Sequence, residues 1–331
     1  MNIRLLAFSD QGITLAKALA DGLGGTPQRC GGKVTLDGWT RAAFSSADAL
    51  VFVGAAGIAV RAIAPYLRGK TLDPAVVVVD ECGRFAVSLV SGHLGGANDL
   101  ARQIAAVCGA IPVITTATDC QGVFSVDAWA RTQNLAVQNP ERIKAVSAKL
   151  LRGENITYRC PWPIDGTPPA HVLPASNTPP DFVVSVGAED SLSLILVPRT
   201  VVVGIGCKKG ISQDALENLY QELLLQSHLP EASVRGAASI DLKAAEPGLL
   251  AFCAAHSLPL ETFSAEELQA LPGTFTPSPF VLGVTGTDNV CERSAVRCSG
   301  GALVQRKTSK NGVTMALAVG APTLDWGWQY A

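Results

Sequence analysis

Apolar stretches alternate with amphipathic ones along the first third of the chain. Short apolar runs predict strands at residues 2–9, 47–54, 75–83 and 111–116. Between them, apolar residues recur at helical spacing, as in QGITLAKALADGL at 11–23. Strands that are apolar on both faces are typical of a parallel sheet covered by helices on both sides. The pattern therefore predicts an α/β fold with mostly parallel sheets.

One predicted strand departs from this alternation. RFAVSLVSG at 84–92 follows the run at 75–83 almost directly, so the two strands are predicted to pair as a hairpin. The segment GGANDLARQIAAVCG, which comes next, predicts a helix that ends at Gly109.

The pattern changes after Asp119. Two helices are predicted at 123–135 and 140–151, then a proline-rich loop or linker at 161–180 and a strand pair before residue 199. A new α/β unit begins at Val201, with a strand, the tight loop CKKG, a helix capped by Ser212 and a late hairpin around Asn311-Gly312. We therefore expect a multi-domain chain, with an N-terminal α/β domain at 1–130, a small middle region at 131–199 and a C-terminal α/β domain at 200–331.

Composition excludes several classes of function. The 331 residues carry a formal net charge of −2 and no basic tract, which argues against a nucleic-acid partner. No apolar run reaches the ~18–20 residues of a membrane span, and the first residues do not resemble a signal peptide. The nine scattered cysteines include no CxxC pair, which favours a reducing cytoplasm and argues against disulfides and a zinc site.

The segment SLVSGHLGGAND at 88–99 is the first candidate site. Its glycines lie between a strand and a helix, where unpaired amides and the helix dipole favour an anion or a developing oxyanion. His93 in this loop can act as a general base or a metal ligand near neutral pH. The alternative is an ordinary glycine-rich turn with a surface histidine.

Three further segments have similar features, and each also has a purely structural interpretation. Small residues and arginines follow the strand at 47–54, acids follow the strand at 75–83, and hydroxyl groups follow the strand at 111–116. The last candidate segment is VVVGIGCKKGIS. Its glycines are spaced one residue too far apart for a dinucleotide fingerprint, so the segment is interpreted as an anion-binding loop with two lysines.

These segments occur together in one known family. The block GIAVRAIAPYLRGKTLDPAVVVVDECGRFAVSLVSGHLGGANDLARQIAAVCGAIPVITTATD resembles the N-terminal signature of the cobalt-precorrin-5A hydrolases of anaerobic cobalamin synthesis. GIGCKKGIS, GVTGTDNVCERSA and LVQRKTSKNGVTMALA resemble the C-terminal domain of that family. The resemblance covers roughly residues 50–130 and 200–320.

The resemblance implies a substrate and a reaction. The substrate is a cobalt corrinoid with many carboxylates and a δ-lactone, which water opens with release of acetaldehyde to give cobalt-precorrin-5B. It implies no cofactor, because cobalt is carried by the substrate, and it makes neighbouring pathway enzymes candidate partners. A non-catalytic corrinoid carrier is the alternative, and a nucleotide-dependent enzyme is a weaker one.

The expected site residues follow from these segments. His93 is the first candidate base and Glu81 the second, while His93 as an axial cobalt ligand stays an alternative. We expect both glycine-rich loops to meet in one cleft between domains. The residues expected to bind substrate are Gly54, Gly57, Arg61, Ser91, Gly92, Gly95, Gly96, Asn98, Thr115, Thr116, Asp119, Gly204, Gly206, Lys208, Lys209 and Lys307.

Overall fold

The computed structural model describes residues 1–69, 72–176, 178–187 and 192–328. Three separate sheets are built in this part of the chain, most of their strands run parallel, and helices pack on them. The predicted α/β fold with several sheets is thereby confirmed. Among the described residues, no helix has both the length and the apolar character that crossing a bilayer requires.

The first sheet lies within residues 3–113, and its described strands have the order β2-β1-β3-β4-β5-β6. The strands are β1 (Ile3–Ala7), β2 (Thr26–Arg29), β3 (Ala49–Val53), β4 (Ala75–Val79), β5 (Phe85–Val90) and β6 (Ile111–Val113). The helices are α1 (Asp10–Leu23), α2 (Leu36–Ser46), α3 (Ala56–Ile63) and α4 (Ala97–Cys108). Strands β3 and β4 are fully buried, which explains why they read as continuous apolar runs.

The hairpin of β4 and β5 decides where the ends of the strands lie. β1, β2, β3 and β4 run parallel to one another, whereas β5 pairs antiparallel with β4, as predicted from their close spacing. β6 then runs parallel to β5. The carboxyl ends of β5 and β6 therefore lie at the edge where β3 and β4 begin.

The second sheet joins five described strands in the order β7-β11-β10-β8-β9. The strands are β7 (Leu135–Val137), β8 (Ile156–Arg159), β9 (Val172–Pro174), β10 (Phe182–Val184) and β11 (Leu194–Pro198). The helices are α5 (Ala117–Gln121), α6 (Val126–Thr132) and α7 (Ile143–Leu151). The predicted strand pair is present as β10 and β11, which run parallel, although Ser191 at its start lies outside the described residues.

The core of this sheet draws residues from beyond the middle region. Trp129 of α6 is fully buried in it, and Trp326 near the chain end stacks on Trp129 at 5.2 Å between ring centroids. The Trp129 indole N–H donates to the carbonyl of Asp325 at 2.7 Å. The proline-rich segment is not a free linker, because it contributes β9 to the sheet and Asp165 bridges to Asp325.

The third sheet has the described order β14-β13-β12-β16-β15. Its strands are β12 (Val201–Cys207), β13 (Val234–Ile240), β14 (Leu260–Phe263), β15 (Ala302–Lys310) and β16 (Val313–Val319). The helices are α8 (Gln213–Ser227), α9 (Pro247–Ala255), α10 (Ala265–Gln269), α11 (Pro279–Thr285) and α12 (Cys291–Ser299). The Ser212 cap and the hairpin are confirmed, with both Asn311 and Gly312 at positive φ as a two-residue turn requires.

Candidate active site

The segment 91–96 forms a tight loop at the end of β5. The amides of Ala97 and Asn98 donate to the carbonyls of Ser91 and Gly92, which closes the loop onto the start of α4. A Cβ at Gly95 would lie 2.4 Å from the Cβ of Ser91, so only glycine fits there. Gly92 and Gly95 are partly exposed, whereas the loop end at Gly96 is buried.

A cavity of about 480 Å³ opens beside this loop, and we call it the His93 cavity. Its wall includes Arg68, Ser91, Gly92, His93, Thr116 and Asp127. His93 is thus neither a surface histidine nor buried away from a cavity, because its side chain is 11% exposed and lines the cavity.

His93 is held between two carboxylates. Its Nε2 lies 2.7 Å from Asp119 Oδ2, and its Nδ1 lies 3.2 Å from Asp127 Oδ1. The Ser125 hydroxyl also lies 3.2 Å from Nδ1 and donates to Asp127 Oδ1 at 2.7 Å. The two ring nitrogens are therefore held unequally, tightly by Asp119 and more loosely on the side of Asp127.

Asp119 is anchored on its far side. Arg102 Nη2 donates to its Oδ1 at 2.9 Å, and the buried amide of Asn98 donates to its Oδ2 at 3.0 Å. Arg102 and Arg131 both bind Asp99, which extends the network to α6. Three cations and three carboxylates thus neutralise one another at this junction, which fixes the imidazole in place.

The two carboxylates determine the charge of His93. Burial by itself lowers the pKa of His93, but the hydrogen bonds and charges of Asp119 and Asp127 outweigh it and raise that pKa to about 9. Burial acts to raise the pKa of each carboxyl group, whereas His93 lowers both below their ordinary value, helped by Arg102 at Asp119. At neutral pH the ring is therefore an imidazolium, which has no lone pair to accept a proton or bind cobalt.

This charge makes stability depend on pH. Because the pKa of His93 rises from 6.5 in the unfolded chain to about 9 on folding, its stabilisation is complete below pH 6.5 and is lost as the pH rises through 9. The expected loss in the free energy of unfolding is about 3 kcal/mol. Urea unfolding at about pH 6 and about pH 9.5 measures it, and His93→Gln is expected to lack this part of the loss. The same pH dependence in His93→Gln and in the unsubstituted protein would contradict this account.

Ser91 has two unusual features at the cavity wall. Its backbone has φ of +57°, a left-handed conformation that costs a non-glycine residue energy. Its hydroxyl is buried and finds no hydrogen-bond partner in the part of the chain that the structure describes. A strained residue with an unpaired hydroxyl at a cavity can donate a hydrogen bond to a bound ligand.

The structure brings only some of the predicted N-terminal residues together. Ser91, Gly92, His93 and Thr116 line the His93 cavity, and Asn98 and Asp119 lie directly behind them. Gly95 and Gly96 shape the loop, while Thr115 is exposed and is not among the lining residues.

Glu81 lies at the opposite edge of the sheet. It follows the carboxyl end of β4 and accepts a hydrogen bond from the Ser9 hydroxyl at 2.5 Å. Gly54, Gly57 and Arg61 lie at that same edge, where Arg61 donates to the carbonyl of Gly57 in its own helix. Because β5 reverses direction, these four residues do not share a cavity with His93, which corrects the expectation that Glu81 and His93 serve one site.

Two residues of this site were not predicted. Asp127 lies 34 positions from His93 in the sequence, in a stretch interpreted only as a helix. Arg68 is one of the arginines that follow the strand at 47–54, for which carboxylate binding and a surface role are both open, and it is not among the predicted site residues. It lines the cavity because the chain after α3 returns to the edge where β4 begins. For Asp127, the only local sign is the Ser125-x-Asp127 pattern at the start of α6.

The second glycine-rich loop lines a different cavity, of about 1050 Å³. Gly206, Lys208, Lys209 and Lys307 line it, together with two lysines that were not predicted, Lys243 and Lys310. We call it the lysine cavity. It shares no lining residue with the His93 cavity in the described part of the chain, so the loops do not meet in the single cleft that was expected.

Gly204 has a packing role instead. A Cβ there would lie 1.8 Å from the carbonyl oxygen of Cys291 in α12, so glycine allows the helix to approach β12 closely. Burial raises the pKa of the neighbouring Cys207 thiol to about 11, which keeps it protonated at neutral pH. A neutral thiol is a poor nucleophile, and neither residue supports a nucleotide-binding interpretation of this loop.

Comparison with known proteins agrees with the predicted resemblance. Two family models match, described as cobalamin synthesis G N-terminal over residues 38–119 and cobalamin synthesis G C-terminus over residues 201–318. A curated cobalt-precorrin-5A hydrolase from Salmonella typhimurium is 33% identical over 96% of this chain and 97% of its own length.

Two further relatives are similar. A curated cobalt-precorrin-5A hydrolase from Priestia megaterium is 30% identical over 83% of this chain and 79% of its own length. The crystal structure of CobE, a protein from the cobalamin biosynthetic pathway, aligns with 37% of this chain and 91% of its own at 31% identity, with a TM-score of 0.34. With both family models matched and a 33% identical relative aligned almost end to end, the chain belongs to the cobalamin synthesis G family.

Proposed function

We propose that this protein is a cobalt-precorrin-5A hydrolase, which opens the δ-lactone of its corrinoid substrate and releases acetaldehyde. The names of its full-length relatives support this activity. The observation that carries the chemistry is the wall of the His93 cavity. There an imidazolium, a carboxylate and an unpaired serine hydroxyl surround a space open to a ligand.

The first step is attack of water on the lactone carbonyl. Two carboxylates line the cavity, and both oxygens of Asp73 already accept hydrogen bonds from the amides of Arg68 and Gly69. Asp127, which lies beside His93, is therefore the group assigned to accept the proton from water as the new C–O bond forms. Negative charge develops on the carbonyl oxygen at the same time. The Ser91 hydroxyl and the amides of Gly92, His93 and Leu94 have no acceptor in the described structure, and they can donate to this oxygen. One such donor contributes about 3–4 kcal/mol.

The second step breaks the lactone C–O bond. The released alkoxide lies on the carbon that is to be lost, and its collapse to a carbonyl cleaves the bond from that carbon to the ring. Acetaldehyde leaves, and the electron pair of the cleaved bond passes into the macrocycle. The His93 imidazolium stabilises the alkoxide and the new carboxylate through its positive charge, with Nδ1 as the ring nitrogen that is less tightly held.

This assignment changes the role expected for His93 from a base to a cation that stabilises developing negative charge. The rate should fall as the pH rises through about 9, because the deprotonated ring loses its charge. If His93 were the base, the rate would rise over the same interval. Arg68 at the cavity wall is available to a substrate carboxylate.

One assay tests the activity. The protein is incubated with cobalt-precorrin-5A, and acetaldehyde is measured with a coupled alcohol dehydrogenase. We expect acetaldehyde with repeated turnover, and no acetaldehyde from the lactone-free product cobalt-precorrin-5B used as a control. Binding of cobalt-precorrin-5A without acetaldehyde release would contradict the proposal.

That outcome would favour the second candidate function, a corrinoid carrier without catalysis. One observation favours the carrier, namely that both nitrogens of His93 are already bonded to carboxylates. His256 is held in the same way by Glu217 and Glu231 and lines neither cavity, so such an arrangement by itself does not indicate catalysis. The unpaired Ser91 hydroxyl beside His93 favours the hydrolase.

The compartment and partners belong to the same proposal. All nine cysteines lie in the described part of the chain and are free, which supports a reducing cytoplasm. The substrate would come from, and the product pass to, enzymes that act on other cobalt corrinoids.

A further inference from the structure

The lysine cavity concentrates positive charge in a chain whose net charge is slightly negative. The sequence contains ten lysines, and five of them line this cavity, together with a single glutamate. The whole chain has a net charge of −2. A cavity with this excess of positive charge fits an anionic ligand.

Three of the five lysines are available to a ligand. Lys243 binds Glu246 at 3.0 Å, and Lys310 binds Glu222 at 2.5 Å. Lys208, Lys209 and Lys307 have no ion-pair partner among the described residues. Lys208 and Lys209 are exposed and Lys307 is half-buried, so none of the three has to break an ion pair before it binds a carboxylate.

The lysines approach the cavity from different elements. Lys208 and Lys209 lie in the loop after β12, Lys243 lies in the short turn after β13, and Lys307 and Lys310 lie on β15. The positive charges therefore come from three separate parts of the cavity wall. The arrangement therefore fits a ligand whose negative charges are spread around its rim.

Part of the remaining wall is apolar and exposed. Phe280 and Val284 of α11 are 80% and 64% exposed, and Leu242 is 68% exposed, although all three line the cavity. α11 contributes no buried residue to the core among its described side chains. Large exposed apolar side chains beside a cavity indicate a surface that a ligand covers. The ligand would thus combine an apolar body with an anionic rim.

The reactive groups of this cavity are not suited to catalysis. Burial raises the pKa of Cys207 and of Cys291 to about 11, so both are neutral thiols. Glu246 is held by Lys243 and by the amide of Gly210 at 2.8 Å. The features of the cavity therefore suit binding.

We propose that the lysine cavity is a second corrinoid site, separate from the His93 cavity, which holds the macrocycle by its peripheral carboxylates and its apolar face. The identity of the macrocycle rests on the proposed function. Charge and lining by themselves indicate an anionic ligand with an apolar part. The site holds a corrinoid before or after turnover, without acting on the lactone.

Porphyrins test this site without the native substrate. Uroporphyrin carries carboxylates around its whole rim, whereas deuteroporphyrin carries them on one side only. Titrations followed by porphyrin fluorescence are expected to show tighter binding of uroporphyrin. The double variant Lys208→Gln/Lys209→Gln should weaken uroporphyrin binding about tenfold, since two such contacts contribute about 1.4 kcal/mol together.

Matched variants separate this site from general charge effects. Lys17→Gln/Lys144→Gln removes two exposed lysines outside both cavities and should leave uroporphyrin binding unchanged. Phe280→Ala should weaken it severalfold without affecting urea unfolding, because Phe280 is 80% exposed.

Two outcomes would overturn the proposal. One is unchanged uroporphyrin binding in Lys208→Gln/Lys209→Gln, and the other is equal affinity for uroporphyrin and deuteroporphyrin. Failure of the hydrolase proposal would look different. In that case uroporphyrin binding would still depend on the lysines, while cobalt-precorrin-5A would give no acetaldehyde.

Discussion

Replacing His93 by glutamine is expected to slow acetaldehyde release from cobalt-precorrin-5A by about 10²–10³-fold, the range for loss of one group that stabilises a developing oxyanion. Glutamine keeps a polar side chain between Asp119 and Asp127 but carries no positive charge at any pH. The developing alkoxide and carboxylate then lose their cationic partner. Steady-state rates across pH measure the effect, and the decline of the unsubstituted protein near pH 9 should be absent from the variant.

His256→Gln is the matched control for this prediction. His256 is also bound by two carboxylates, at 2.5 Å and 2.6 Å. Burial lowers the pKa of His256, but the two carboxylates outweigh burial, so the pKa is raised above its ordinary value. Because His256 lines neither cavity, its replacement should leave turnover within about twofold of normal once folding is verified. Normal turnover in His93→Gln, or equal losses in both variants, would remove His93 from the mechanism.

Replacing Asp127 by alanine is expected to lower the free energy of unfolding at neutral pH by about 3–5 kcal/mol. The variant leaves the imidazolium of His93, whose side chain is 11% exposed, without one of its two carboxylates. It also removes the acceptor for the Ser125 hydroxyl and for the amide of Ala128. Urea unfolding measures the loss, and acetaldehyde release should fall as well because the proposed acceptor of the water proton is gone.

Two comparisons make the Asp127 prediction specific. Asp127→Asn keeps the hydrogen bonds without the charge, so it should cost less stability while turnover is still lost. Glu217→Ala removes a carboxylate from His256, but Glu217 is 37% exposed, so water screens the loss and it should stay near 1 kcal/mol or below. Equal losses in Asp127→Ala and Glu217→Ala would show that burial does not set the strength of the His93 arrangement.

The strands and helices that the sequence predicts well are those with a periodic apolar face. β3 and β4 are fully buried, and α8 follows a serine cap that sequence alone identifies. Elements without such a signal were not predicted. β2 has the sequence TPQR at the sheet edge, and α5 is only five residues long. Their positions depend on neighbours that become adjacent only after folding.

The residues of the candidate site also differ in how well the sequence predicts them. His93, Asn98, Thr116 and Asp119 follow strand ends that are near in sequence, so the sequence grouped them correctly. Asp127 comes from a helix of the second core and could not be paired with His93 by spacing. The charge of His93 cannot be predicted from the sequence either, because its pKa depends on two carboxylates that only folding brings to the ring.

Local motifs and apolar periodicity are enough to predict the family, the α/β class and the loop that carries His93. Which residues share a cavity depends on how the strands pair in the folded chain. The antiparallel β5 brings Thr116 to His93 and leaves Glu81 at the far edge of the sheet. The two glycine-rich loops likewise belong to different sheets and line different cavities. Strand direction and sheet membership are set by long-range pairing, and local sequence contains little information about it.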